Sequence, residues 1–231
     1  MMAMFMVASA TAFAGDSDAL KAILKAKDYA EAEALLKSGL SQLANDQEKA
    51  KAYNKLVDLA YAKYKKEDDT RITNQALQKN DPIDTLGMIK AGIDALNYAA
   101  ECDKYDILPN AKGQVKPAFQ KKNQDRLQSV FKGLYENGCN YAENSKNEEA
   151  FQCLDTYLKG AESPLFNEIP FIKNDPNRGI AAYYAGRAAM QLEKTGRAIE
   201  LLKIGANDTI QQVRDFSIDL LLYTMGKNRS T

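Results

Sequence analysis

Histidine is absent from the 231 residues. A Ser-His-Asp or Cys-His site needs an imidazole to take the nucleophile's proton, so both are excluded, together with metal sites built on His. Tryptophan is absent too. Cysteine occurs three times, at Cys102, Cys139 and Cys153, which is too few for a four-thiolate zinc site. The odd count leaves at least one thiol free in a monomer. The expected role of all three is burial as small apolar side chains, with a disulfide left open in an oxidising compartment. Net charge is absent as well, 31 basic residues offsetting 31 acidic ones. A nucleic-acid binder needs a basic surface, so that class is set aside. No Gly-x-Gly-x-x-Gly occurs, and Gly226-Lys227 has Leu221 where a phosphate loop needs its first glycine. Carboxylates cluster at Glu67-Asp68-Asp69 and Glu148-Glu149, in polar turns or helix starts, where a solvated surface is favoured over acid–base catalysis. No catalytic, cofactor-binding or metal-ligating residue is nominated, and the expected protein is not an enzyme.

What is present is helical periodicity, with no strand pattern anywhere. Arg178 to Ala206 reads as two antiparallel helices joined by a turn at Glu193–Gly196. In the first helix Ala182, Ala185, Gly186 and Ala189 recur at three- and four-residue spacing and so line one face. In the second, Ala198, Leu201, Leu202 and Gly205 do the same. A glycine inside a helix costs about 1 kcal/mol relative to alanine. Gly186 makes sense where a neighbouring helix comes close, and Ala198, twelve residues on, is expected opposite it. The spacing recurs earlier in Gly138, Tyr141, Ala150 and Leu154, offset by 48 residues. A partial copy, Tyr29, Ala32, Leu36 and Gly39, fits the second helix of such a unit.

These residues resemble the tetratricopeptide repeat, which places Gly and Tyr in its first helix and Ala, an aromatic and Ala in its second. Gly138, Tyr141 and Ala150 match best; Gly186 and Ala198 match, with Ala189 where the family has Tyr. The pattern departs from the family at Leu154 and Leu202, which replace the aromatic, and in lacking the terminal proline. The 48-residue offset exceeds the usual roughly 34, so a linker must intervene. The resemblance covers about half the chain and implies an all-α fold of antiparallel hairpins stacked as a short solenoid. It also implies a groove, lined by first helices, that holds a peptide or a partner helix. Carried over position by position, Tyr135, Cys139 and Ala142 would face it in one unit and Tyr183, Arg187 and Met190 in the other. The competing role for the tyrosines is packing between repeats, with Gly138, Tyr141, Ala150, Gly186, Ala198 and Ala32 as packing positions.

Residues Met1 to Ala14 carry no charge and end in Ala12-Phe13-Ala14, a small-residue cleavage pattern. The run is too short to span a bilayer. It reads as a secretory signal peptide without its positive n-region, favoured over an apolar first helix. The mature chain, residues 15–231, is expected to be exported to the periplasm or cell envelope of a bacterium. It is not expected to be a lipoprotein, since no cysteine follows the cleavage pattern.

Along the mature chain a hairpin is expected over Asp16–Gly39, then a helix over Gln47–Lys66 capped by Asn45-Asp46. A polar irregular stretch follows to Asp81-Pro82, where Asp81 is expected to cap the next helix with proline at its first position. A helix over Ile83–Cys102 carries Leu86, Ile89, Ile93, Leu96 and Ala100 inward, and a linker covers Lys104–Pro117. One long helix is expected over Ala118–Ser145. The connection Ser163–Pro176 is expected either to tuck Leu165, Phe166, Ile169, Phe171 and Ile172 into the core or to cover a groove with them. The last helix, Thr209–Met225, is apolar nearly all round, whereas the outer face of a terminal repeat should be polar. It is expected either to self-associate or to be covered by further repeats of a longer chain, the second being favoured. The function these readings imply is a non-enzymatic exported scaffold or adaptor for a protein or peptide. The alternative is a secreted or cell-envelope module that binds a small ligand or glycan. Aromatics gathered in one pocket would favour the second, and a long shallow groove the first.

Overall fold

Ser17 begins the first helix: its hydroxyl accepts the Leu20 N–H at 3.2 Å, and α1 (Asp18–Lys25) buries Leu20 and Ile23 on one face. Asp28 caps α2 (Tyr29–Gly39) in the same way through the Glu31 N–H at 2.9 Å. These two helices form the hairpin expected over Asp16–Gly39, with Ala32, Leu36 and Gly39 buried. Asn45 then caps α3 by accepting the Glu48 N–H at 3.0 Å. The computed structural model describes residues 15–110 and 112–228, with no description of the side chains of 227 and 228. The apolar run 1–14, read above as an export signal, lies outside the described residues.

Helix α3 (Asp46–Leu77) runs through the stretch expected to be irregular. Local charge pairs hold that polar half in helical form, Lys65 with Asp69 at 2.5 Å and Arg71 with Asp68 at 2.7 Å. The helix stops at Gln78, which takes the left-handed conformation (φ 51°). Asn74 then clamps the backbone of Asp81 from both sides, donating at 2.8 Å and accepting at 3.1 Å. The cap of α4 (Thr85–Asp106) is Asp84 rather than Asp81, through the Gly87 N–H at 2.9 Å. Of the expected inward stripe Ile89 and Leu96 are buried, whereas Leu86 is 63% exposed, and Met88, Ala91, Ala95 and Ala99 are buried as well. The small residues make room for Tyr64 of α3. A Cβ on Gly92 would lie 3.0 Å from the Tyr64 ring, and one on Gly133 would lie 2.2 Å from its hydroxyl. That hydroxyl donates to the Ser129 carbonyl at 3.0 Å. One buried tyrosine thus pins together three helices.

The single helix expected over Ala118–Ser145 is two, α5 (Gln120–Arg126) and α6 (Gln128–Glu143), broken at the buried Leu127. The tightened step is an i−3 bond from the Val130 N–H to the Leu127 carbonyl at 3.1 Å. Helix α5 is anchored sideways. Arg126 donates to Asn54 at 3.0 Å and pairs with Asp58, both on α3.

Two hairpins follow, α6 with α7 (Asn147–Glu162) and α9 (Arg178–Gln191) with α10 (Thr195–Gly205). They share one turn at the 48-residue offset. Ser145 and Glu193 both take left-handed φ, 57° and 59°. The next N–H, of Lys146 or Lys194, reaches back to the carbonyl of Tyr141 or Ala189, at 2.9 Å in each case. The contact at the glycines differs from the one expected. A Cβ on Gly138 would meet Leu154 Cγ at 2.5 Å, and one on Gly186 would meet Leu202 Cγ at 2.8 Å. Each glycine therefore receives the leucine sixteen residues on, not the alanine twelve residues on. Ala150 and Ala198 are fully buried nearer the turn.

Between the hairpins, Leu165, Phe166 and Ile172 are buried as expected, the last on the short α8 (Pro170–Lys173), whereas Phe171 is 41% exposed. Helix α9 packs on α7 and α6, and the last helix, α11 (Gln211–Asn228), packs on α10 and α9. The described residues are all-α, without a strand, and none of their helices is long and apolar enough to cross a membrane.

Candidate functional site

Helix α9 is walled on one side by the α6–α7 turn and on the other by α11. Open cavities lie along both flanks. Glu143, Ser145, Asn147, Tyr184, Arg187 and Gln191 line one of about 600 Å³. Ile180, Tyr183, Tyr184, Arg187, Ile210, Gln212, Val213 and Phe216 line the other, of about 330 Å³. Tyr184 and Arg187 belong to both, so the two cavities adjoin across them. Their spacing of three residues places both on one stripe of the helix.

The Arg187 side chain is oriented from two directions. Its Nη2 donates to the Ala142 carbonyl in the last turn of α6, an acceptor shared with the backbone N–H of Ser145 at 3.3 Å. Its guanidinium lies 5.3 Å from the centre of the Tyr184 ring. Tyr184 in turn donates to Glu143 at 3.4 Å. Burial, then the Glu143 carboxylate, raises the Tyr184 pKa, so this hydroxyl stays a proton donor at neutral pH. Beyond it Tyr183 packs against Phe216 of α11 with ring centres 6.1 Å apart. The result is an aromatic wall with one oriented cation.

Tyr135 stands apart from this pair. It lines a third cavity, of about 490 Å³, with Phe131, Tyr157, Phe171 and Asp175. Its ring lies 5.7 Å from that of Tyr157, whose hydroxyl donates to the Asp175 carboxylate. Burial first, then Asp175, raises the Tyr157 pKa well above the usual phenol value. Met190, expected in the groove, is half-buried, packs against the main core and lines neither of the two α9 cavities. Ala142 is buried, and Cys139 is half-buried with its thiol pushed up to about 11 by burial. Cys102 and Cys153 are fully buried, and burial pushes each up to about 12. All three cysteines are free thiols, protonated at neutral pH and so poor nucleophiles.

Of the expected partner-facing residues, the structure brings Tyr183 and Arg187 together, separates Tyr135, and leaves Met190 outside both α9 cavities. Gly138, Gly186, Ala32, Ala150 and Ala198 are buried packing residues, and half-buried Tyr141 packs on the core with Lys146 over its ring. Sequence reasoning passed over Tyr184, although its i,i+3 relation to Arg187 was a usable signal. Phe216 and Val213 carried none, because their role depends on how α11 seats against α9. No group of three or more His, Cys, Asp or Glu among the described residues could hold a metal ion. No protein-family model, characterised protein or solved structure matches the chain.

Proposed function

We propose that the chain is an exported, non-enzymatic, tetratricopeptide-like scaffold that holds a segment of another protein along α9. The observation that supports this reading most is the pairing of Tyr183 and Arg187 on one helix with Phe216 from another, around open and adjoining cavities. Tyrosine and arginine are the side chains that contribute most at protein interfaces, where they combine apolar area with directed polar contacts. The aromatic residues are spread over separate wide-mouthed cavities rather than gathered in one closed pocket. That distribution favours an extended peptide over the alternative of a small ligand or glycan.

The test is binding of the full chain to arrayed peptides, with hits remeasured by fluorescence anisotropy. Tyr183→Ala should weaken binding about tenfold, the order expected for a central aromatic contact, and leave the melting curve nearly unchanged. Binding of oligosaccharides with no binding of any peptide would replace this reading with the glycan one. The export part is tested separately, by producing the chain in a bacterium and sequencing the N-terminus of the envelope fraction, where Gly15 is the expected first residue.

A further inference from the structure

We infer that the segment held along α9 is acidic, with an internal Asp or Glu side chain set against Arg187 and an apolar neighbour against Tyr183 and Phe216. This rests on the groove reading above. The argument comes from a comparison of the arginines. Five others are described, and each has a carboxylate partner within the chain: Arg71 with Asp68 at 2.7 Å, Arg126 with Asp58, Arg178 with Glu162 at 2.8 Å, Arg197 with Asp155 at 2.7 Å and Arg214 with Asp215 at 3.8 Å. Among the described residues Arg187 alone of the arginines has no carboxylate within 4.0 Å. It is also half-buried and fixed in orientation by the Ala142 carbonyl and the Tyr184 ring. A guanidinium offers five N–H donors in a planar fork, and the chain occupies one nitrogen. The rest of the fork is pre-set for a planar acceptor, and a carboxylate matches it with two parallel hydrogen bonds.

The surroundings select among anions. No lysine lines either cavity, and Glu143, bonded by Tyr184, contributes a negative charge to one of them. A dianionic phosphate would be left under-neutralised, whereas one carboxylate balances one guanidinium. The cavities open on both flanks of Arg187, so a chain can pass across it, and an internal side chain is favoured over a chain terminus.

The experiment uses the full chain and N-acetylated, C-terminally amidated peptides of about ten residues, a length that spans adjoining cavities when extended. Three matched series place Glu, Gln or Lys beside Leu or Phe. The Glu series should bind about tenfold more tightly than the Gln series, and the difference should shrink in high salt and vanish in Arg187→Gln. Arg187→Lys should retain part of it. If Arg187→Gln does not fold, the Glu-to-Gln ratio on the unmodified chain still decides. Equal binding of Glu and Gln peptides, both weakened by Tyr183→Ala, would overturn the acidic inference and leave the groove reading standing. Binding seen only with free C-terminal acids would overturn the internal side chain as the source. Absence of binding in every series would remove both readings.

Discussion

At the scale of single residues, two glycines on α9 and α10 make opposite predictions. Alanine is the better helix former by about 1 kcal/mol, so either replacement begins with that gain. At Gly186 the new methyl would sit 2.8 Å from Leu202 Cγ and 3.3 Å from the Leu202 nitrogen, and a backbone atom cannot step aside. Overpacking of this kind costs about 1–3 kcal/mol, so Gly186→Ala should lower the melting temperature by a few degrees. At Gly196 nothing lies within 4 Å, and Gly196→Ala should raise it. Equal shifts at the two sites in a thermal melt would show that α9 and α10 do not meet as described. Glu48 supplies a pH dependence. It is buried, and burial by itself raises its pKa. Hydrogen bonds from the Ser17 hydroxyl at 2.6 Å, the Ala44 N–H at 2.8 Å and the Ser17 N–H at 2.7 Å outweigh burial and leave it below the usual carboxylate value. A depressed folded pKa contributes stability above the unfolded value of about 4.3, and that stability is lost as pH falls through the folded value. Glu48→Gln should therefore cost about 1–3 kcal/mol near neutral pH, with a smaller difference at about pH 3. A difference in urea denaturation that stays constant between the two conditions would count against the ionised, bonded state.

At the scale of elements, what the sequence made legible was governed by local chemistry. The cap at Asn45, the small-residue faces of α9 and α10, and the hairpin over residues 16–39 all follow from near neighbours in the chain. The polar half of α3 was passed over although its i,i+3 and i,i+4 charge pairs were a local signal, whereas Glu67 accepting the Asp84 N–H at 3.0 Å, seventeen residues away, was out of reach of the sequence. The break at Leu127 has no glycine or proline to announce it. Its anchors, Asn54, Asp58 and the Leu165 carbonyl, lie far off in sequence. The candidate site divides in the same way. Tyr183 and Arg187 share a helix and could be paired by spacing, whereas Phe216 joins them only through packing of α11. The repeated hairpin turn gives a prediction at this scale. Glu193 holds a left-handed φ of 59° without being glycine. That conformation costs an L-residue about 1–2 kcal/mol, part of which glycine returns as entropy in the unfolded chain. Glu193→Gly should raise the melting temperature by about 2 °C, and a fall would mean that the Glu193 side chain makes a contact worth more than the strain.

At the scale of the whole molecule, the C-terminal helix is built the wrong way round for a covered monomer. Ser217 and Thr224 face inward, buried, with their hydroxyls bonded to the helix's own carbonyls of Val213 and Leu220 at 2.7 Å each. Leu222 and Tyr223 face outward at 65% and 61% exposure, with Ile218 beside them. A contiguous apolar face of this kind marks an association surface in a soluble protein. The α11 face of one copy against that of another would bury these side chains in a two-fold contact, in which each surface meets itself. The expected outcome is concentration-dependent dimerisation of the full chain in light scattering. Leu222→Lys should abolish it without lowering the melting temperature of the dilute protein, because an exposed leucine contributes little to the monomer's core. Phe216 lines the groove with Tyr183, on the side of α11 that meets α9. Peptide affinity should therefore be the same for Leu222→Lys as for the unmodified chain. A parallel loss of dimer and peptide binding would mean that the two surfaces are one, and that the second copy itself occupies the groove. A chain that stays monomeric at high concentration would leave the outward face of α11 to a different protein.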